Sequence, residues 1–97
     1  MGQLAFLDED RLFDGECIRF KGRDGDDEVM CGVTLYALQH CDPHVPKHGL
    51  VGSEVFLDAF DRLLTEIHHA ARDKHARGLR ETDGPVQIMV HRQDLAP

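Results

Sequence analysis

Hydrophobic positions change period partway along this chain. From Cys17 to Thr34 they recur every second residue, interrupted at Asp24-Gly25. From Ser53 to Arg77 they recur with the spacing of a helix. Period two places side chains alternately on two faces of a strand, whereas a period near 3.6 lines one face of a helix. The switch predicts an α+β domain: an antiparallel sheet of three or four strands, one long helix packed across it, and one short helix.

The strand region reads as follows. Leu4-Ala5-Phe6-Leu7 is a short apolar run suited to an edge strand, which Asp8-Glu9-Asp10 breaks. Phe13-Asp14-Gly15 is a turn. A strand runs from Glu16 to Gly22 and another from Glu28 to Thr34. Asp24-Gly25 between them predicts a hairpin with a type I′ turn, which needs positive φ at both central residues. That turn sets Phe20 against Val29 and Ile18 against Cys31 on one apolar face, with Lys21 opposite Glu28 on the other. A one-residue slip would turn Ile18 and Phe20 to the wrong side. Asp26-Asp27 leaves room for a longer loop.

Thr34 can cap a short helix from Leu35 to His40. Residues Cys41 to Gly52, with two prolines and two glycines, read as a loop. Ser53 caps the long helix. Val55, Phe56, Ala59, Phe60, Leu63, Leu64, Ile67, Ala70 and Ala71 form its apolar stripe. Asp58 and Asp61 lie early in it; Arg72, Lys74 and Arg77 lie late, matching the helix dipole. Gly78 suits the position just past the helix end. Thr82-Asp83-Gly84-Pro85 turns the chain. Val86, Ile88 and Val90 then alternate with Gln87, Met89 and His91 as a last strand.

Length and charge narrow the function classes. Ninety-seven residues make one domain, 1–97, and a chain this short buries only about 60–65% of its unfolded surface. Eighteen acidic residues against eleven basic ones leave a net charge of -7, which repels phosphate backbones and argues against nucleic acid as a partner. No apolar run approaches the roughly 20 residues that span a bilayer. The first residues lack the basic and apolar regions of a signal peptide. Gly2 lacks the nearby downstream Ser or Thr that myristoylation wants. Three cysteines suggest no disulfide framework. The expectation is a cytoplasmic protein with reduced thiols and no membrane partner.

The order of parts also carries a likeness. An acidic start leads to the Arg19-Phe20 strand, Asp24-Gly25, and Val29-Met30-Cys31-Gly32-Val33-Thr34 running into Leu35-Tyr36-Ala37-Leu38. A helix follows with Ala59-Phe60, Ile67 and Ala71, and the chain closes with Asp83-Gly84-Pro85-Val86 and Asp94-Leu95. This resembles the short bacterial proteins grouped as domain-of-unknown-function family 1488. The resemblance implies a small cytoplasmic bacterial protein without an established activity, and it brings no catalytic residues.

Candidate chemistry is sparse. His40, Cys41, His44 and His48 lie within nine residues and are donors that suit zinc, which takes four ligands in a closed tetrahedral site. Against them, the loop holds two prolines and no second cluster follows. His68, His69 and His75 occupy the helix's second half. One reading is a pH-responsive interface; the plainer one is a solvated face near a helix C-terminus, since the acidic residue of a His-Glu-x-x-His site is missing. Cys41 follows a helix C-terminus and precedes Asp42, both unfavourable to thiolate. Cys31 belongs to the core face and Cys17 to the other, which argues against their pairing. Ser53, the lone serine, follows Gly52 but lacks a P-loop lysine. Asp24 to Glu28 lacks EF-hand spacing. Arg72, Lys74, Arg77 and Arg80 could meet an acidic partner, though the helix terminus accounts for most of them.

No nucleophile and base can be assembled from these residues. The favoured reading is a non-enzymatic protein-interaction module that self-associates; zinc binding by the 40–48 loop is the alternative. Phe56, Phe60, Leu63, Ile67 and Ala70 alternate steps of four and three, the spacing of a helix–helix seam. A straight 25-residue helix of about 37 Å also outruns a six-residue strand of about 20 Å. A homodimer through the helix or the adjoining sheet edge would cover the excess.

Overall fold

A computed structural model describes residues 4–46, 51–81, 84 and 86–95. Its elements are β1 (Ala5–Phe13), β2 (Cys17–Asp24), β3 (Asp27–Thr34), α1 (Leu35–Cys41), α2 (Ser53–Arg62), α3 (Leu64–Ala76), β4 (Ile88–Val90) and α4 (Arg92–Leu95). The fold is α+β, with a sheet ordered β1-β2-β3-β4. The first three strands pair antiparallel, and β4 joins β3 parallel, so the sheet is mixed. Parallel pairing follows from the connection: three helices lie between β3 and β4, and they return the chain to the end of the sheet from which β3 set out.

The hairpin keeps its predicted face and changes its register. Phe20 lies opposite Cys31 and Ile18 opposite Val33, because Asp24 pairs with Asp27 and the loop is Gly25-Asp26. Only Gly25 has positive φ there, at 64°. Glycine at the first central position with positive φ is the pattern of a type II′ turn, not type I′. The slip is two residues, so every side chain stays on its expected side. Lys21 still reaches Glu28, diagonally at 3.5 Å.

β1 is longer than its sequence suggests. Asp8-Glu9-Asp10 do not end it; the register shifts between Phe6 and Arg11, and pairing resumes with Arg11 opposite Phe20. A bulge absorbs the acidic residues without stopping the strand.

The long helix is two helices. It breaks at Leu63, where φ is -100° and ψ is 13°. Below the break α2 packs on β1 and β2; above it α3 packs on β4 and α4. The break lets a single apolar stripe serve these two sets of neighbours in two pieces. Ser53 is the first helical residue; the cap is Gly52, with no side-chain hydrogen bond. Thr34 does cap α1, its hydroxyl accepting from the Ala37 N–H at 3.0 Å. Gly78 closes α3 in a Schellman arrangement: its N–H donates to the His75 carbonyl and that of Leu79 to the Lys74 carbonyl.

One hydrophobic cluster joins these elements. Ile18, Phe20, Val29, Cys31 and Val33 meet Ala37 and Leu38 of α1, Phe56, Ala59 and Phe60 of α2, and Ile67, Ala70 and Ala71 of α3. Phe60 lies 5.3 Å from Phe20, ring to ring. Ile88 and Val90 complete the cluster. Val86 departs from its predicted alternation and turns to the opposite side of the sheet, beside Met89 and over Gly32. Thr82, Asp83 and Pro85 of the predicted turn lie outside the described residues.

Candidate functional site

Alternation in β2 sends Ile18 and Phe20 into the core and Cys17, Arg19, Lys21 and Arg23 to the other face. Their β3 neighbours there are Thr34, Gly32, Met30 and Glu28. β1 adds Leu12, opposite Arg19, and β4 adds Met89, opposite Gly32. All four helices put apolar side chains into the cluster on the core side. Among the described residues no helix covers the second face; Cys17 and Val86 are buried at one end of it, while elsewhere Leu12 is 62% exposed and Met30 and Met89 are half-buried.

Two depressions lie on this face. The larger, about 480 Å³, is lined by Asp14, Glu16, Cys17, Arg19, Glu81 and His91 among others. The smaller, about 330 Å³, lies between Leu12, Arg19, Lys21 and Met30. Gly32 lies beneath three side chains that line the first: a Cβ there would come within 3.2–3.3 Å of Met89 Sδ, Val86 Cγ1 and Cys17 Sγ. With glycine there, these three side chains close over the strand without having to shift.

Asp14 organises the larger depression. Its Oδ1 accepts the backbone N–H groups of Glu16 at 2.9 Å and Cys17 at 2.8 Å, and its Oδ2 accepts Arg19 Nε at 2.7 Å. Burial pushes its carboxyl up, but these hydrogen bonds to the charged form outweigh it and hold it at about 2. The Cys17 thiol donates to the same carboxylate at 3.5 Å. Burial first, then the Asp14 charge, push that thiol up to about 11. At neutral pH it is protonated and a poor nucleophile. Arg19 is neutralised by Asp14, and His91 Nε2 lies 3.3 Å from Glu81. The arrangement offers shape, polar contact and soft apolar surface.

No family model matches this sequence, and no curated protein does. A solved structure does: a protein of unknown function from the DUF1488 family of Shewanella loihica PV-4 shares the fold with a TM-score of 0.77. The superposition covers 93% of each chain at 18% identity. The likeness is one of fold. The resemblance read from the order of strands, turn and helix thus holds at the level of architecture.

Within this fold, the described donors of the expected zinc set lie at and just after the end of α1. His40 packs on Tyr36 with ring centroids 4.2 Å apart, Cys41 ends α1, and His44 is exposed; His48 lies outside the described residues. Among the described residues no three His, Cys, Asp or Glu side chains converge. Asp42, which ends α1 at the start of the loop, is buried and binds Arg62 at 2.7 Å and the His44 N–H at 2.9 Å. Its role there is to fasten the loop to α2.

The helix histidines are not one solvated face. His68 stacks on Phe6 at 4.0 Å, with the Arg72 guanidinium 5.0 Å from the same ring. His75 is nearly buried, its Nε2 2.9 Å from Asp24 at the hairpin tip. Arg80 approaches its Nδ1 at 3.2 Å. Arginine can only donate, so Nδ1 accepts and Nε2 carries the proton toward Asp24. His69 is exposed. The late basic residues are also engaged: Lys74 with Asp94 at 2.9 Å, Arg77 with Asp73 at 3.0 Å, and Arg72 with the Leu4 carbonyl at 2.9 Å. Cys17 and Cys31 are unpaired, and burial pushes the Cys31 thiol up to about 12. Among the described residues no helix is long and apolar enough to cross a membrane.

Sequence reasoning missed Asp14, Arg19, Leu12, Met30 and Met89 as one surface. Their signal was present in the positions between the core residues of β2 and β3, which the search for an apolar face passed over.

Proposed function

We propose that this chain is a protein-interaction module of the bacterial cytoplasm and that the open sheet face is its working surface. The observation that carries this reading is Leu12. A large apolar side chain stands 62% exposed on a strand, beside half-buried Met30, on a face that no helix among the described residues covers. Methionine is adaptable and polarisable, and suits surfaces that remodel around a partner. Arg19 and Lys21 frame this patch, and arginine is among the residues enriched where proteins meet.

A photo-crosslinking amino acid at position 12, with a control at exposed position 77, tests the reading in living cells. Protein adducts are expected from position 12 and not from position 77. Absence of any adduct at position 12 would refute the assignment of this face.

A further inference from the structure

We infer that His75 is a latch worked by protons: a proton and the Arg80 side chain compete for one ring nitrogen, so acid sets Arg80 free. The latch stands on its own geometry. It rests on the reading above only in its consequence, since Glu81, next to Arg80, lines the larger depression of the open face.

The His75 side chain is 8% exposed, and both ring nitrogens are in use. Nε2 lies 2.9 Å from Asp24 Oδ2 on β2, and Nδ1 lies 3.2 Å from Arg80 Nη2. A guanidinium has only hydrogens to offer and a carboxylate only lone pairs. A neutral imidazole with its proton on Nε2 satisfies both at once. The one lone pair left on that ring is the one Arg80 holds. A second proton must go to Nδ1, where it removes the acceptor and sets two cations against each other. The bond to Asp24 survives as an ion pair.

The neighbouring charges leave this competition undisturbed. Arg23 precedes Asp24 on β2, and Asp27 lies across from it on β3. Cys31, also on β3, feels the Arg80 charge, but burial outweighs it and pushes the thiol up to about 12. β4 brings Ile88, Met89 and Val90, none of them charged. Along α3, Lys74 is held by Asp94 of α4, Arg77 by Asp73, and Arg72 by the Leu4 carbonyl. Main-chain bonds fix the segment on both sides of Arg80: Gly78 and Leu79 to α3, and Glu81 to the Gln87 carbonyl at 2.7 Å. What moves is the Arg80 side chain, not the backbone. Histidine is the side chain that changes charge between about pH 5 and 8. Near neutral pH Arg80 is folded back on α3; in mild acid it becomes a free cation beside Glu81, available to an acidic partner.

Nitrogen NMR of the histidine and arginine side chains in the full chain, at pH 8 and pH 5, tests this. Asp14 keeps its charge throughout that interval. At pH 8 the His75 proton is expected on Nε2, with the Arg80 guanidinium restricted in rotation. At pH 5 both ring nitrogens should carry protons and the guanidinium should turn freely. Arg80→Ala, at an exposed position, should let His75 take its second proton about threefold more readily than in the native chain. A proton on Nδ1 at pH 8 overturns the inference. So does an Arg80 side chain equally mobile at both pH values, or a His75 titration indifferent to Arg80→Ala. None of these signals involves a partner, so their failure leaves a crosslink from position 12 standing. Absence of that crosslink leaves the latch and removes only its consequence for the open face.

Discussion

The two faces of the β2–β3 hairpin belong to the same residues taken alternately, yet they are determined in different ways. On one, Ile18, Phe20, Val29, Cys31 and Val33 are buried against helices. Each is held by neighbours on several sides, and its size is set by the space left for it. On the other, Arg19, Lys21 and Met30 are only half covered, and Leu12 hardly at all. Nothing inside the chain requires a leucine at position 12. The first face accounts for the fold; the second is where a requirement from outside the chain can be written.

The sharpest way to break this contrast is to cut into each face and compare. Phe60→Ala empties space against Phe20 and should cost about 3–5 kcal/mol, read as a fall in the urea midpoint. A near-native midpoint would mean the core face is not the determinant described.

Acid titration probes the other face through Asp14. Its carboxyl is held at about 2 in the folded chain, against roughly 3.9 when unfolded. A depressed folded pKa gives stability that is present above the unfolded value and lost as pH falls from about 4 to about 2. The contribution is on the order of 1–2 kcal/mol. The carboxyls of Asp42 and Asp94 are also held low: burial raises each, and hydrogen bonds from backbone N–H groups and from Arg62 or Lys74 outweigh it. They should add to the same loss. Asp14→Asn should flatten the slope of stability against pH in that window; an unchanged slope would mean the Asp14 hydrogen bonds do not persist in solution.

Gly25→Ala tests the link between the faces, because the turn sets which residues oppose one another. A Cβ there meets nothing, so the expected loss of about 1 kcal/mol is backbone strain alone. No change in thermal midpoint would refute positive φ at Gly25. Leu12→Glu is the smallest expected change. On an open face it should shift monomer stability by no more than about 0.5 kcal/mol, measured by urea melts at dilution. A larger loss would show that Leu12 is part of the core after all.

Much of the core face was legible because burial imposes period. Phe20, Val29, Phe60 and Ile67 announce themselves by spacing. The register was off by two because Asp24-Gly25-Asp26-Asp27 offers two tight loops of equal length, and only backbone dihedrals distinguish them. The break at Leu63 was hidden because Leu63 and Leu64 continue the apolar stripe; what the two halves pack on, β1 and β2 against β4 and α4, is decided by residues far away in the chain. The parallel sense of β4 depends on the path of three helices. The open face was least legible, since polar positions obey no periodic rule of their own. Asp14 could have been found: Asp-Gly ahead of a strand, with its carboxylate bound to the N–H groups two and three residues on, is an ordinary Asx turn.

The parallel attachment of β4 also bears on how the molecule comes into being. Met30 and Gln87, joined where β3 meets the last strand, are 57 positions apart, whereas Asp24 and Asp27 close a loop of two. Distant pairing carries a loop-closure entropy that nearby pairing largely escapes. The hairpin can form early and alone, but β4 has no groove to enter until α2 and α3 have been laid across the sheet. Synthesis imposes the same order, since residues 88–90 emerge after all three of these helices. For that interval β3 presents an unpaired edge, and the nascent chain is open to strand exchange with any other copy caught at the same stage.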